Sequence, residues 1–265
     1  MRSLGLVFSG GGSCGAYQIG FWKALREAGV EKLVSAVSGS SVGSLNALLF
    51  ANGKAGLAAD IWKGLKQTDL LRLRNFLDGR GIFSQAGYAA FVDRLKERWK
   101  DIADGMPVYS CVSVLNRDGG GLGRIDLLHR EAGRPEYILL NELSFDAMKN
   151  VLLASSAMPY IYPHRRVKGM TCIDGDFSDK TPYRPLAVHG CDAVIILHLN
   201  SREEAARRRL ESDERYDPES GMKLYHLYPS GSLGNYILVS RRLTQKRIRT
   251  GYEEGKQFLD RLLHG

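Results

Sequence analysis

The sequence predicts an α/β fold, a three-layer α/β/α sandwich on a largely parallel central sheet. Three observations carry that prediction. Short apolar runs alternate with stretches of helical period. Glycine-rich junctions follow the first two apolar runs, where a strand must turn into a helix. A later run, Ala193–Leu199, is apolar at nearly every position, as in a strand buried on both faces. A chain of 265 residues can form one large domain or two small ones. There is no internal repeat and no Pro- or Ser-rich linker, so one domain over 1–265 is the simpler expectation. Its motif-bearing core covers about 3–200, and a basic helical region follows over 202–265.

In chain order, Leu4–Phe8 is a short apolar run that reads as a buried strand. Ser9–Gly15 leads into a helix carrying Tyr17, Ile19, Trp22, Leu25 and Ala28, which Gly29 ends. Leu33–Ser38 reads as the second strand, and the next helix runs to about Asn52. Residues 55–66 and 84–100 show helical spacing, with a loop at Gly79–Phe83 between them. Val108–Leu115 alternates like a strand, and Asn116–Gly123 predicts a hairpin-like turn into Arg124–His129. Glu142–Ala157 is helical and stops at Met158-Pro159. Arg165–Ile173 predicts a tight hairpin around Lys168-Gly169. The charged stretch 202–220 reads as a solvated helix or loop, Lys223–Tyr228 as a last strand and 232–263 as mostly helix.

Hydrophobic content of 44% and charged content of 25% are those of a globular protein. No apolar run approaches the roughly 18–20 residues of a spanning helix, and the N-terminal run is too short for a signal h-region. The four cysteines (Cys14, Cys111, Cys172, Cys191) form no C-x-x-C pair, which predicts reduced thiols and a cytoplasmic compartment. No spacing of His and Cys suggests a metal site. The formal charge of +8 favours an acidic partner. Basic residues interleaved with aromatics on a nucleic-acid module are missing, so membrane lipid is the expected partner and nucleic acid is not.

Three pieces carry residue types suited to chemistry. Gly10-Gly11-Gly12-Ser13-Cys14-Gly15 is a formal G-x-G-x-x-G between strand and helix. A dinucleotide loop calls for an acidic residue at the end of the second strand, and that position falls in Ser38-Gly39-Ser40. The same glycines can instead aim backbone N–H groups at a tetrahedral oxyanion, or can pack a tight turn. The second piece, Gly39-Ser40-Ser41-Val42-Gly43, is a Gly-x-Ser-x-Gly in strand–turn–helix context. It leaves Ser41 at a helix N-terminus that favours developing negative charge, as a nucleophile or as a simple cap. The third, Cys172-Ile173-Asp174-Gly175-Asp176, delivers a carboxylate into a glycine turn, a pattern also common in ordinary turns. Asp174 or Asp192 followed by His198 or His226 would satisfy a Ser-acid-His order. However, His198 lies inside an apolar run, and Ser41 arrives already at the second strand. A histidine triad is therefore disfavoured.

In this order the pieces resemble the patatin-like phospholipase family. Gly10–Gly15 is similar to its oxyanion loop, and Gly39–Gly43 to its nucleophile turn. Ala154-Ser155-Ser156-Ala157-Met158-Pro159, with Pro163 beyond, is similar to its Ala-Ser-x-Ala-x-Pro segment. Asp174-Gly175-Asp176, then Pro182 and the Gly190–Leu199 strand, resembles its Asp-Gly-Gly/Ala block, and Arg80–Ser84 a loop of bacterial members. The resemblance implies a serine lipid acyl hydrolase of phospholipase A, lysophospholipase or esterase type, without cofactor or histidine. On that model Ser41 attacks the ester and Asp174 is the general base. Gly10, Gly11, Gly12, Ser13 and Gly15 form the oxyanion loop, and Gly39, Gly43, Gly175 and Asp176 support the motifs. This sequence departs from the family pattern where Cys14 replaces a common Arg or Lys and where Asp176 replaces a small residue. Ser178–Thr181 also stands where members often have Asn. The alternatives are a catalytically weak lipid-binding or regulatory protein on the same fold, and a nucleotide-cofactor enzyme using Gly10–Gly15.

From Ser220 to Tyr252 there is no acidic residue, while Arg241, Arg242, Lys246, Arg247 and Arg249 cluster with Leu233, Tyr236, Ile237, Leu243 and Ile248 nearby. Read as one helix, this is either a basic amphipathic surface for peripheral contact with anionic membrane or a helix packing its stripe on the sheet.

Overall fold

A computed structural model describes residues 3–53, 55–70, 72–73, 83–115, 133–208 and 216–264. Strand β1 (Leu4–Phe8) is followed by helix α1 (Ala16–Glu27), and β2 (Val34–Ser40) by α2 (Val42–Ala51). Then come α3 (Ala55–Gly64), α4 (Gln67–Leu70), a small antiparallel pair β3 (Arg72–Leu73) and β4 (Phe83–Ser84), α5 (Ala86–Asp93) and α6 (Trp99–Ala103). The hairpin β5 (Val108–Leu115) and β6 (Gly133–Leu139) precedes α7 (Phe145–Ser155), β7 (Arg165–Val167) and β8 (Met170–Asp174). The chain closes with β9 (Ala193–Leu197), α8 (Arg202–Arg208), β10 (Lys223–Leu227) and α9 (Arg241–His264).

The result is an α/β fold on a mixed, mostly parallel sheet flanked by helices. Strands β10, β9, β1, β2 and β5 run parallel, while β6 and β8 run antiparallel to β5, and β7 to β8. All five residues of β1 and of β9 are buried, which explains their unbroken apolar character. Leu4, Leu6 and Phe8 pack with Phe21, Trp22 and Phe50 of the helices. Val7, Val194 and Ile196 pack with Tyr183 and Leu186 on the opposite face.

One pairing detail decides where the site lies. Strand β6 runs along β5 from Tyr109 to Leu115 and so occupies one whole edge of it. The other edge is shared. The end of β2 pairs with its first half (Ser40 with Cys111), and the end of β8 with its second (Asp174 with Val112). The two strands therefore run toward each other and stop head to head, with Ser41 and Asp174 at the junction.

Several expectations are corrected. The stretch 84–100 is not one helix but α5 and α6, separated by a 3₁₀ turn at Lys96–Arg98 that buries none of its own residues, while Leu95 and Trp99 on either side of it are buried. Helix α9 begins only at Arg241. Residues 228–240 form an irregular strap, with Gly234 at φ 82° and its carbonyls hydrogen-bonded outside any helix. Leu233, Tyr236 and Ile237 are therefore not on the basic helix. The predicted hairpin partner at Arg124–His129, the turn at Asn116–Gly123 and the loop residues 79–82 lie outside the described residues; the observed partner of β5 is β6, which sequence reading missed. Of the charged stretch 202–220, residues 202–208 are helix α8 and 209–215 lie outside the described residues. Among the described residues no helix is long and apolar enough to cross a membrane, and the four cysteines are free and buried.

Helix α9 lies directly on α1. A Cβ at Gly251 would stand 2.0 Å from the Tyr17 carbonyl oxygen, and one at Gly20 would stand 1.9 Å from that of Ile248. We expect Gly251→Ala to push the helices apart at a cost of about 1–3 kcal/mol, read as a lower urea midpoint. An unchanged midpoint would contradict this packing.

Candidate active site

Ser41 sits between β2 and α2 in a conformation that side chains resist, with φ 52° and ψ −125°. The flanking glycines make this turn sterically feasible. A Cβ on Gly39 would lie 2.3 Å from the backbone of Gly43, and one on Gly43 would lie 1.9 Å from the Phe8 carbonyl oxygen. The hydroxyl of Ser41 donates to Asp174 Oδ2 at 2.8 Å. Both residues are nearly inaccessible, at 7% and 2% exposure. Gly175 permits the junction of the two strands, because a Cβ there would lie 2.3 Å from the Cys111 carbonyl oxygen and 2.5 Å from Ser40 Oγ.

The Ala154–Pro159 segment clamps both ends of this pair. Ser155 Oγ accepts from the Ser41 N–H at 2.9 Å and donates to the Cys111 carbonyl at 2.6 Å, while the Ala157 carbonyl accepts from the Asp174 N–H at 3.1 Å. Ser44 and Ser110 extend the hydroxyl chain beneath it. No sequence rule named Ser155 as the support of Ser41; the family-like motif was its only signal.

Gly10–Gly15 curls over the same point. Gly11 and Gly12 have φ of 154° and 55°, a region that favours glycine. The loop is tied at both ends: Gln18 Nε2 donates to the Ser9 carbonyl and Asn46 Nδ2 to that of Gly15. Trp62 Nε1 in turn donates to Asn46. Where a dinucleotide site would need an acid at the end of the second strand, β2 delivers Ser40 and Ser41.

Asp176 does not point away from the site. Its carboxylate fills the space beside Gly10, where a Cβ would come within 1.7 Å of Oδ1, and Lys180 Nζ stands 4.0 Å from Oδ2. Its N–H donates to Asp174 Oδ1 at 3.0 Å. Burial, and then the Asp176 charge, raise the pKa of Asp174 well above the usual carboxylate range, against the opposing pull of the Asp176 N–H and the Ser41 hydroxyl. Tyr162 is pushed up to about 12 by burial and by the same Asp174 charge.

A cleft of about 930 Å³, its open mouth included, runs from Ser41 and Asp174 between Val42, Leu45, Ile61, Trp62, Phe91 and Ile161, with Tyr236 and Ile237 of the strap also lining it. Its walls are overwhelmingly apolar.

The fold agrees with sequence and structural comparisons. A model of the patatin-like phospholipase family matches residues 6–187, and the chain belongs to that family. Lipid acyl hydrolysis is the typical activity of that family. The crystal structure of VipD from Legionella pneumophila is similar with a TM-score of 0.61 and 15% identity, over 98% of this chain and 67% of that one. The type III effector protein ExoU is similar with a TM-score of 0.51 and 17% identity, over 98% of this chain and 53% of that one. The chain thus spans about half the length of ExoU, and at these identities both neighbours speak for the fold alone. No curated protein sequence matches the chain significantly.

If Asp176 sets the protonation of Asp174, Asp176→Asn will lower the Asp174 pKa. Carboxyl ¹³C NMR titration reads this directly, and an unmoved or raised value would contradict it.

Proposed function

We propose that this protein is a serine hydrolase of fatty-acyl esters, with Ser41 and Asp174 as a dyad. The observation that carries the reading is the buried 2.8 Å hydrogen bond between them at an apolar cleft. Ser41 Oγ attacks the acyl carbonyl carbon as its proton passes to Asp174 Oδ2. The carbonyl oxygen becomes an oxyanion, for which the N–H groups of Gly11 and Gly12 are the proposed donors. Collapse expels the alcohol, which takes the proton from Asp174 and leaves an acyl-serine. Water, deprotonated by Asp174, then releases the fatty acid and restores Ser41. An ordinary aspartate is a weak base for a serine, and its raised pKa brings Asp174 nearer to the task.

Ser41→Ala should lower kcat for a soluble nitrophenyl ester by roughly 10³-fold or more, and Asp174→Asn by roughly 10²–10⁴-fold. Full activity in either variant would overturn the dyad. The sign of the pH dependence follows from the base. Only ionised Asp174 accepts the proton, so activity rises with pH, with its acid limb above the ~4 of a free aspartate. Asp176→Asn should move that limb to lower pH; a limb unmoved would contradict the coupling.

We further propose peripheral contact with anionic membrane through Arg241, Arg242, Lys246 and Arg249, which are exposed on α9. Tyr236 and Leu238 on the strap are 43% and 51% exposed. Arg247 does not belong to this surface: it is buried. Neutralising the four exposed cations should weaken sedimentation with phosphatidylglycerol vesicles, and equal binding would reject the contact.

A further inference from the structure

The glycine loop is not held by the family-matched residues alone. The strap lies on it: the Tyr236 carbonyl accepts from the Ser13 N–H at 2.7 Å, and the Leu238 carbonyl accepts from the Ser13 hydroxyl at 2.8 Å. The fit is close, since a Cβ on Gly12 would come within 2.5 Å of the Tyr236 oxygen. Gln67 fixes the strap from the other side, donating to the Ile237 carbonyl at 3.0 Å and accepting from the Val239 N–H at 2.7 Å.

Arg247 joins these parts. It is 2% exposed, and its guanidinium donates to the carbonyls of Leu233 at 3.0 Å, Asn235 at 2.9 Å and Leu238 at 3.2 Å. It also donates to the Ser13 carbonyl at 3.1 Å and to the Ser13 hydroxyl at 2.9 Å. A planar fork with five N–H donors fixes the directions of several oxygens at once, which a lysine cannot do. Its hydrogen-bond partners among the described residues are neutral oxygens of the loop and of the strap.

We infer that Arg247 is a positioning residue for the oxyanion loop, acting through Ser13 and the Leu233–Val239 strap. The inference rests on the hydrolase reading for its catalytic consequence. Residues 233–247 lie beyond the family match, yet the loop at 10–15 is completed by them. Oxyanion donors act only when held in place before the reaction. Loosening Ser13 should therefore lower transition-state stabilisation more than substrate affinity.

The test has two arms. In the first, Arg247→Gln is compared with wild type on a soluble nitrophenyl ester and on a trifluoromethyl ketone, which forms a tetrahedral adduct. We expect kcat and ketone affinity to fall roughly 10²-fold, with KM within about threefold. In the second, hydrogen exchange is followed without substrate in the Ser41→Ala background. The Ser13 amide should exchange about tenfold faster or more when Arg247→Gln is added, with β1 amides unchanged. If Arg247→Gln does not fold, Ser13→Ala serves in both arms, with a smaller fall in kcat and the same sparing of KM. Unchanged Ser13 exchange, or kcat and KM lost only in proportion to unfolded protein, would overturn the inference. A folded wild type that hydrolyses no ester counts against the hydrolase reading instead, and the exchange arm still decides whether Arg247 holds the loop.

Discussion

Two strands that meet end to end on one edge of β5 are the constraint on which the site depends. Strand β2 stops at Ser40 opposite Cys111, and β8 stops at Asp174 opposite Val112. Neither strand can lengthen without striking the other, so each must leave the sheet at that point. Ser41 leaves through a strained turn, and Asp174 leaves through Gly175, where only a hydrogen in place of Cβ clears Cys111 and Ser40. The 2.8 Å hydrogen bond follows from this collision of strand ends. The serine chain beneath it, with Ser155 holding the Ser41 N–H, keeps the junction from relaxing.

Charge is placed around the junction in an uneven way. Two carboxylates crowd the acid side, where burial and the Asp176 charge both act to keep a proton on Asp174. On the loop side Cys14 contributes no charge, and burial holds its thiol up, against the pull of Arg247. A guanidinium from α9, that of Arg247, reaches the same loop from a distant part of the chain and donates to Ser13.

How much was legible in the sequence follows the range of the interaction. Strands β1 and β2, the Ser41 turn and the Asp174 turn were readable because glycine spacing and apolar runs encode them locally. Strand β6 was missed because Gly133-Arg134-Pro135-Glu136 lacks an apolar alternation, and its pairing with β5 across the hairpin provides what pattern does not. The apolar spacing of the strap is helical, so periodicity alone predicts a helix there. Its conformation is instead fixed by Gly234, Gln67 and Arg247, none of which a periodicity senses. In sequence Arg247 is indistinguishable from the surface cations beside it, since a lone arginine shows no sign of the carbonyls that will surround it. The approach of Asp176 to Gly10 was equally hidden, because it joins residues far apart in the chain.

The central claim is that Ser41 is an activated nucleophile and not a buried turn residue. Labelling the folded protein with a long-chain fluorophosphonate, followed by peptide mass mapping, tests it most directly. The account predicts one adduct, on the peptide carrying Ser41. A folded protein that acquires no adduct, or acquires it on another serine, would contradict the account.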